Sequence, residues 1–411
     1  MNIRMDKLIQ TIGAALDIVE GELLGASTNH GKRIAVLSAA LGQHLGMEED
    51  RLFALTSCAL LHDNALTEYI AAEYRGEPSG NGSGQNVHMK LHCQLGQRNV
   101  DTLGFKTGVK DFILYHHERA DGSGPYGKRN GEFPLEAELI AISDNLDVTW
   151  GLQNYPGDEL PKLRSYIEEQ AGMLYTGQAA KAMLAVLDQD MLQSLRDKQI
   201  AASTGQYLSP YYVDIEDAVI LRLADLITRI IDYKSKFTRR HSTQIASKAW
   251  AMGGHYRYSP TLRSKLYLAA SLHDIGKLAT PTTILEKPGR LTDDEFRIIT
   301  DHVRLTHDLL ANIEGLDEIH AWASNHHEKL DGSGYPFGKK AGELDFNSRL
   351  MACIDIYQAV SEERPYHPQR NHRDTMAVLY SMAEKGALDQ GIVRDMDEAL
   401  AAWDGGDIPA P

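Results

Sequence analysis

The chain has 411 residues, 43% apolar and 24% charged, with no sustained low-complexity tract, which excludes a disordered protein and predicts two globular domains. Asp and Glu outnumber Lys and Arg 57 to 42, and the net charge of -15 excludes a broad surface for long nucleic acid while leaving room for a small anionic substrate beside bound cations. Cys58, Cys93 and Cys353 lie among apolar residues and predict reduced thiols in a cytoplasmic protein; there is no run of about 18 apolar residues to span a membrane and no signal-peptide pattern at the N-terminus.

Helical periodicity runs along nearly the whole chain. Ile34, Leu37, Leu41 and Leu45 form one apolar stripe, and Leu52, Leu55, Ala59 and His62 form the next. Residues 76–84, Gly-Glu-Pro-Ser-Gly-Asn-Gly-Ser-Gly, are predicted to be a loop. Further on, Ile220, Leu223, Ile227 and Ile230 make a stripe that could pack within the chain or form the seam of a homodimer; packing within the chain is favoured because the pattern is too short for a coiled coil. Thr292 followed by Glu295 has the capping-box form of a helix start. No stretch alternates clearly enough to be a strand, so the predicted fold class is all-α.

The histidines expose an internal repeat. His30, His62-Asp63, His92, His116-His117 and Asp144 recur as His241, His273-Asp274, His302, His326-His327 and Asp355, at offsets of 210 or 211 residues. His-His-Glu-Arg-Ala-Asp-Gly-Ser-Gly from His116 reappears from His326 with two substitutions. The chain is therefore a tandem duplication, divided into residues 1–150, a helical linker over 151–234, and residues 235–411 with C-terminal helices.

Each copy supplies five histidines and two aspartates, the donor set of divalent first-row metals and enough for two ions. Asp274 adjoins His273 and could bridge them. Adjacent helical residues diverge by about 100°, so His326 and His327 can serve one cluster only near a helix end. A lone buried histidine is usually a core residue, but a duplicated set at constant spacing is not explained that way.

The second copy resembles an HD-GYP domain of the HD phosphohydrolase superfamily. The resemblance rests on His273-Asp-Ile-Gly-Lys277, Ile284-Leu-Glu-Lys-Pro-Gly-Arg-Leu291, His326-His-Glu-Lys-Leu-Asp-Gly-Ser-Gly-Tyr-Pro336, and Asp355 followed by Arg364-Pro-Tyr366. It implies a phosphodiesterase that hydrolyses cyclic di-GMP or 3′,3′-cyclic GMP-AMP to the linear dinucleotide and then mononucleotides. By the same resemblance His241, His273, Asp274 and Asp355 hold one ion and Asp274, His302, His326 and His327 the other, with iron or manganese the implied metals. Two such ions can activate a water as hydroxide. Lys277 is expected near the phosphate or leaving oxygen, Arg364 on a phosphate, and Tyr335 on the substrate groove or as a scaffold for the histidine pair.

Some departures bear on metal number and substrate choice. Phe237 stands where some family members carry an acidic third-metal ligand, which predicts two metals; Gln358 and His367 replace the usual Asp and basic residue. The first copy keeps all seven ligand positions, His30, His62, Asp63, His92, His116, His117 and Asp144, but Asn64-Ala65-Leu66 follows the His-Asp pair and Gly124-Pro-Tyr-Gly replaces Gly-Tyr-Pro. It resembles a degenerate HD-GYP domain with a regulatory or structural role and a second, weaker metal site. The competing readings are a cyclic dinucleotide receptor without turnover and another HD-superfamily activity, a nucleotidase or a di-iron oxygenase.

Overall fold

The computed structural model describes residues 1–24, 29–65, 84–208, 210–232, 241–362 and 370–403. They are overwhelmingly helical, as the periodicity predicts; the sheet among them is one pairing of β1 (Asn2–Arg4) with β2 (Tyr212–Asp214). Strands of three residues are too short to leave an alternating pattern in the sequence.

The chain divides into two compact units, one spanning Met5–Tyr212 and the other formed by Met1–Arg4 with Val213–Pro411. The first contains α1 (Met5–Leu24), α2 (His30–His44), α3 (Glu49–Leu60), α4 (Gly84–Asp101), α5 (Leu135–Trp150), α6 (Leu160–Gln170), α7 (Gly177–Val186), α8 (Gln189–Ser194) and α9 (Ile200–Tyr207). Residues 151–234, expected as a linker, are shared out between the units. Helices α7 and α9 pack on α2, and Leu163, Ile167 and Met183 are fully buried. These helices carry none of the repeated motif residues, which is why the repeat did not include them.

The second unit contains α10 (Asp217–Asp232), α11 (His241–His255), α12 (Pro260–Leu272), α13 (Thr282–Leu285), α14 (Asp293–Leu310), α15 (Asp317–Ser324), α16 (Phe346–Ser361), α17 (His372–Glu384) and α18 (Gln390–Leu400). Ile220, Leu223, Ile227 and Ile230 are buried within this unit, where α10 packs on α12. At roughly 1.5–3 kcal/mol per buried side chain, that stripe anchors α10 inside the unit.

Caps set the register of the helices that carry the histidines and aspartates. Ser259 accepts from the Leu262 N–H at the start of α12, with Pro260 in the first turn. Thr292 and Glu295 form the predicted capping box of α14, and Asp345 accepts from Ser348 N–H at the start of α16. Residues 76–83 of the predicted loop lie outside the described residues, while Gly84 opens α4. Among the described residues no helix is long and apolar enough to cross a membrane.

Candidate metal centre

In the second copy the repeated residues meet around Asp274. His273 caps the C-terminus of α12 and Asp274 leads directly into a 3-10 turn, Ile275–Ala279. His241 is the first residue of α11, and the His326-His327 pair follows the end of α15. Helix ends thus supply five of the seven side chains. His302 and Asp355, by contrast, project from the interiors of α14 and α16.

The imidazoles surround the carboxylate. His273 Nε2 and His241 Nε2 lie 3.1 and 3.6 Å from Asp274 Oδ2, while His302 Nε2 and His326 Nε2 lie 3.2 and 3.9 Å from its Oδ1. Asp355 faces His241 Nε2 at 3.8 Å through Oδ1 and His327 Nδ1 at 3.3 Å through Oδ2. The donor atoms of His241, His273 and Asp355 come within 4.8 Å of one another, as do those of His302, His326 and His327 and those of His273, Asp274 and His326.

Local backbone fixes which nitrogen faces inward. Nδ1 of His273, His302 and His326 each lies on the carbonyl three residues earlier, that of Ala270, Ile299 and Ala323. An Nδ1–H donated to a carbonyl leaves Nε2 as a lone-pair donor, the arrangement a metal-ligating histidine needs. His241 reaches the same state through Glu362, whose Oε2 lies 2.9 Å from its Nδ1. Sequence reasoning missed Glu362, which belongs to no motif.

The electrostatics favour ligation. Burial, reinforced by neighbouring histidines, holds His326 and His327 well below the usual imidazole range, so both stay neutral. Burial opposes ionisation of Asp274, but the charges of His273, protonated while no metal holds it, and of Lys277 outweigh it and hold the carboxyl well below its ordinary value. His273 Nε2 and Asp274 Oδ1 are buried with no partner in hydrogen-bond geometry among the described residues. Leaving such atoms unpaired costs about 1–3 kcal/mol each, and a coordinated cation removes that cost. The residues present fit divalent ions.

Lys277 Nζ lies 2.6 Å from Asp274 Oδ2. Its backbone is placed by a tight packing: a Cβ on Gly276 would stand 2.0 Å from the His302 carbonyl oxygen, so only glycine lets the 3-10 turn approach α14. Thr306 ties the two together, accepting from Gly276 N–H at 3.1 Å and donating to the His273 carbonyl at 3.0 Å. Tyr335 packs beside His327, with ring centroids 4.7 Å apart and ring planes tilted by 36°. Glu328, also missed, accepts from the N–H groups of Phe337 and Lys339 and so shapes the loop after Tyr335. Arg364, Phe237 and His367 lie outside the described residues. Gln358 accepts from Lys248 Nζ and donates to Gln244, both at 2.7 Å.

The HD domain family matches this chain twice, over residues 19–170 and 225–392. The chain belongs to the HD domain family. Among curated HD relatives, 3′3′-cGAMP-specific phosphodiesterase 1 of Vibrio cholerae is 27% identical over 95% of this chain and 90% of its own length. The phosphodiesterase 3 of the same name and organism is 28% identical over 77% of this chain and 68% of its own. A crystal structure of a cyclic GMP-AMP specific phosphodiesterase from V. cholerae superposes with a TM-score of 0.64 at 21% identity, covering 97% of this chain and 98% of that one, which shows a shared fold. The second HD copy carries the HD-GYP signature, and the first has Asn64-Ala65-Leu66 and Gly124-Pro-Tyr-Gly at the corresponding places.

Proposed function

We propose that the second copy is a two-metal phosphodiesterase that opens a cyclic dinucleotide to the linear form and then to mononucleotides. The observation that carries this reading is the convergence of His241, His273, His302, His326, His327 and Asp355 on Asp274, with Lys277 at its rim. In this reading His241, His273 and Asp355 hold one ion, His302, His326 and His327 hold the other, and Asp274 bridges. Imidazole and carboxylate donors accept several first-row metals, with iron and manganese the ones the HD-GYP resemblance points to.

Two ions so held would lower the pKa of a shared water and draw charge from the phosphate oxygens. The chain itself orients the phosphodiester. Lys277 is close enough to the centre to offset negative charge that builds on the phosphate or the departing ribose oxygen. The aromatic face of Tyr335 beside His327 offers a wall on which a nucleotide can stack. Arg364 is assigned to a second phosphate contact by its sequence motif.

The two relatives described above, which align over 95% and 77% of this chain, are named for 3′3′-cGAMP, which puts that dinucleotide first among substrates and cyclic di-GMP second. The test is hydrolysis of both by protein loaded anaerobically with iron(II) or with manganese(II), beside an Asp274→Ala control. Turnover confined to the intact protein supports the reading. Binding of either dinucleotide without turnover, in protein shown to hold two metals in this copy, replaces it with a receptor.

A further inference from the structure

The first copy contains a second polar cluster that the phosphodiesterase reading leaves unused. His30 Nε2 lies 3.2 Å from Asp144 Oδ1, His92 Nε2 lies 3.0 Å from Asp63 Oδ1, His62 Nε2 lies 3.5 Å from Asp63 Oδ2, and His117 Nδ1 lies 4.0 Å from Asp144 Oδ2. The Nδ1 atoms of His62 and His116 rest on the carbonyls of Ala59 and Ile113, the same arrangement as in the second copy. Nε2 of His62, both ring nitrogens of His92, and Nε2 of His116 are buried with no partner in hydrogen-bond geometry among the described residues. Buried Nε2 atoms on three histidines without hydrogen-bond geometry are a cost in a metal-free protein, and a cation coordinated by them would remove it.

What adjoins this cluster differs from the second copy. A cavity of about 100 Å³ opens beside it, lined by His116, His117, Arg119, Asp144, Asn145 and Tyr175 among others. Two sequence differences account for its character. Glu118 accepts from the N–H groups of Tyr126 and Lys128, eight and ten residues on, whereas Glu328 accepts from those of Phe337 and Lys339, nine and eleven residues on. The first copy is thus one residue shorter here, and the deletion leaves no counterpart of Tyr335. The residue after the distal aspartate is Asn145 in the first copy and Ile356 in the second. The Asn145 Oδ1 accepts from the hydroxyls of Tyr175 and Tyr166, which leaves its NH₂ as the donor it offers at the cavity.

We propose that the first copy binds metal through His30, His62, Asp63, His92, His116, His117 and Asp144 and holds on it a small oxyanion, with Asn145 and Arg119 as further donors. A space of about 100 Å³ is well below the 300–1,000 Å³ of pockets that take drug-sized ligands, and it suits an ion the size of phosphate better than a whole dinucleotide. Arg119 and Asn145 add cationic and neutral donors to the metal-bound positive charge an oxyanion needs, and the Glu118 carboxylate that also lines the cavity is held by the Tyr126 and Lys128 N–H groups. This assignment stands apart from hydrolysis in the second copy.

The experiment uses full-length Asp274→Ala protein, in which the second centre has lost the carboxylate shared by its two ions, loaded with cobalt(II) and titrated with inorganic phosphate, beside the double variant Asp63→Ala/Asp274→Ala, whose cobalt and band shifts give the residual contribution of the second centre. Cobalt retained by this protein, with absorption bands that shift saturably on phosphate and stay unmoved by cyclic di-GMP, is the expected result. Asn145→Ile, which installs the second copy's residue, should keep the cobalt and weaken phosphate by about tenfold or more, the effect of one hydrogen bond to a charged group. In a wild-type background Asp63→Ala should lower the cobalt content, a readout that does not depend on the folding of Asp274→Ala. Unchanged cobalt content in Asp63→Ala, bands blind to phosphate, or an equal response to cyclic di-GMP would each overturn the proposal.

Discussion

Glu362 Oε2 stands 2.9 Å from His241 Nδ1 and orients that imidazole with its Nε2 toward Asp274 and Asp355. The first copy solves the same problem with another residue: Asp147 lies 2.7 Å from His30 Nδ1. The place of Asp147 is taken by Gln358 in the second copy, where it pairs with Lys248 and Gln244. The orienting carboxylate has moved from inside the last helix of the repeat to the C-terminal cap of α16. Glu362→Ala should therefore weaken metal binding or activity by about 10–100-fold. Competition against a chromogenic chelator measures the first, and Glu362→Gln, whose amide oxygen can still accept from Nδ1–H, should recover part of it. Equal losses in the two variants would reduce Glu362 to a packing residue.

Lys277→Ala should lower kcat by roughly 10²–10³. Metal content, measured by elemental analysis, should stay at the wild-type level, because Lys277 donates to Asp274 and is not a ligand. A variant that loses metal along with activity would show that the lysine acts by stabilising the ionised carboxylate.

At Gly276 the backbone leaves no space for a side chain, since a methyl group there would stand 2.0 Å from the His302 carbonyl oxygen. Gly276→Ala should push the 3-10 turn away from α14 and cost about 1–3 kcal/mol as an overpacked site. At about 2–4 °C per kcal/mol for a unit of this size, a calorimetric scan should show the second unit melting several degrees lower. Turnover should fall as well, since the same turn carries Asp274 and Lys277.

In the first unit, Arg33 is fully buried and grips Asp147 with two hydrogen bonds of 2.7 and 2.9 Å. Asp147→Ala leaves a buried guanidinium and His30 without their shared carboxylate, at a cost of about 3–5 kcal/mol. Asp197 lies 3.5 Å from Arg33 and places the loss toward the lower end of that range. Thermal unfolding should resolve a lowered transition for this unit, and an unchanged one would mean that the pair is dispensable.

Metal removal offers the broadest check. Extraction with a chelator should abolish turnover and lower the melting temperature, because ions that bind only the folded state stabilise it by mass action. Restoring iron(II) or manganese(II) should reverse both. A melting temperature indifferent to the chelator would argue against ligation by either cluster.

Much of this protein is written locally in its sequence. Helical stripes such as Ile34 to Leu45, the capping box at Thr292, and the seven ligand types kept at constant spacing in both copies could be read without coordinates, because each depends on residues a few positions apart or on the repeat itself. Tertiary structure decided what spacing cannot express. It drew the four helices from Leu160 to Tyr207 into the first unit through apolar burial, and it sorted the donors of the second copy around the two oxygens of Asp274. It also joined Glu362 to His241 across 121 residues, and opened beside His117 a cavity that one missing residue and one asparagine make polar. Those relationships arise from distances between chain segments that only packing brings together, so no local pattern records them.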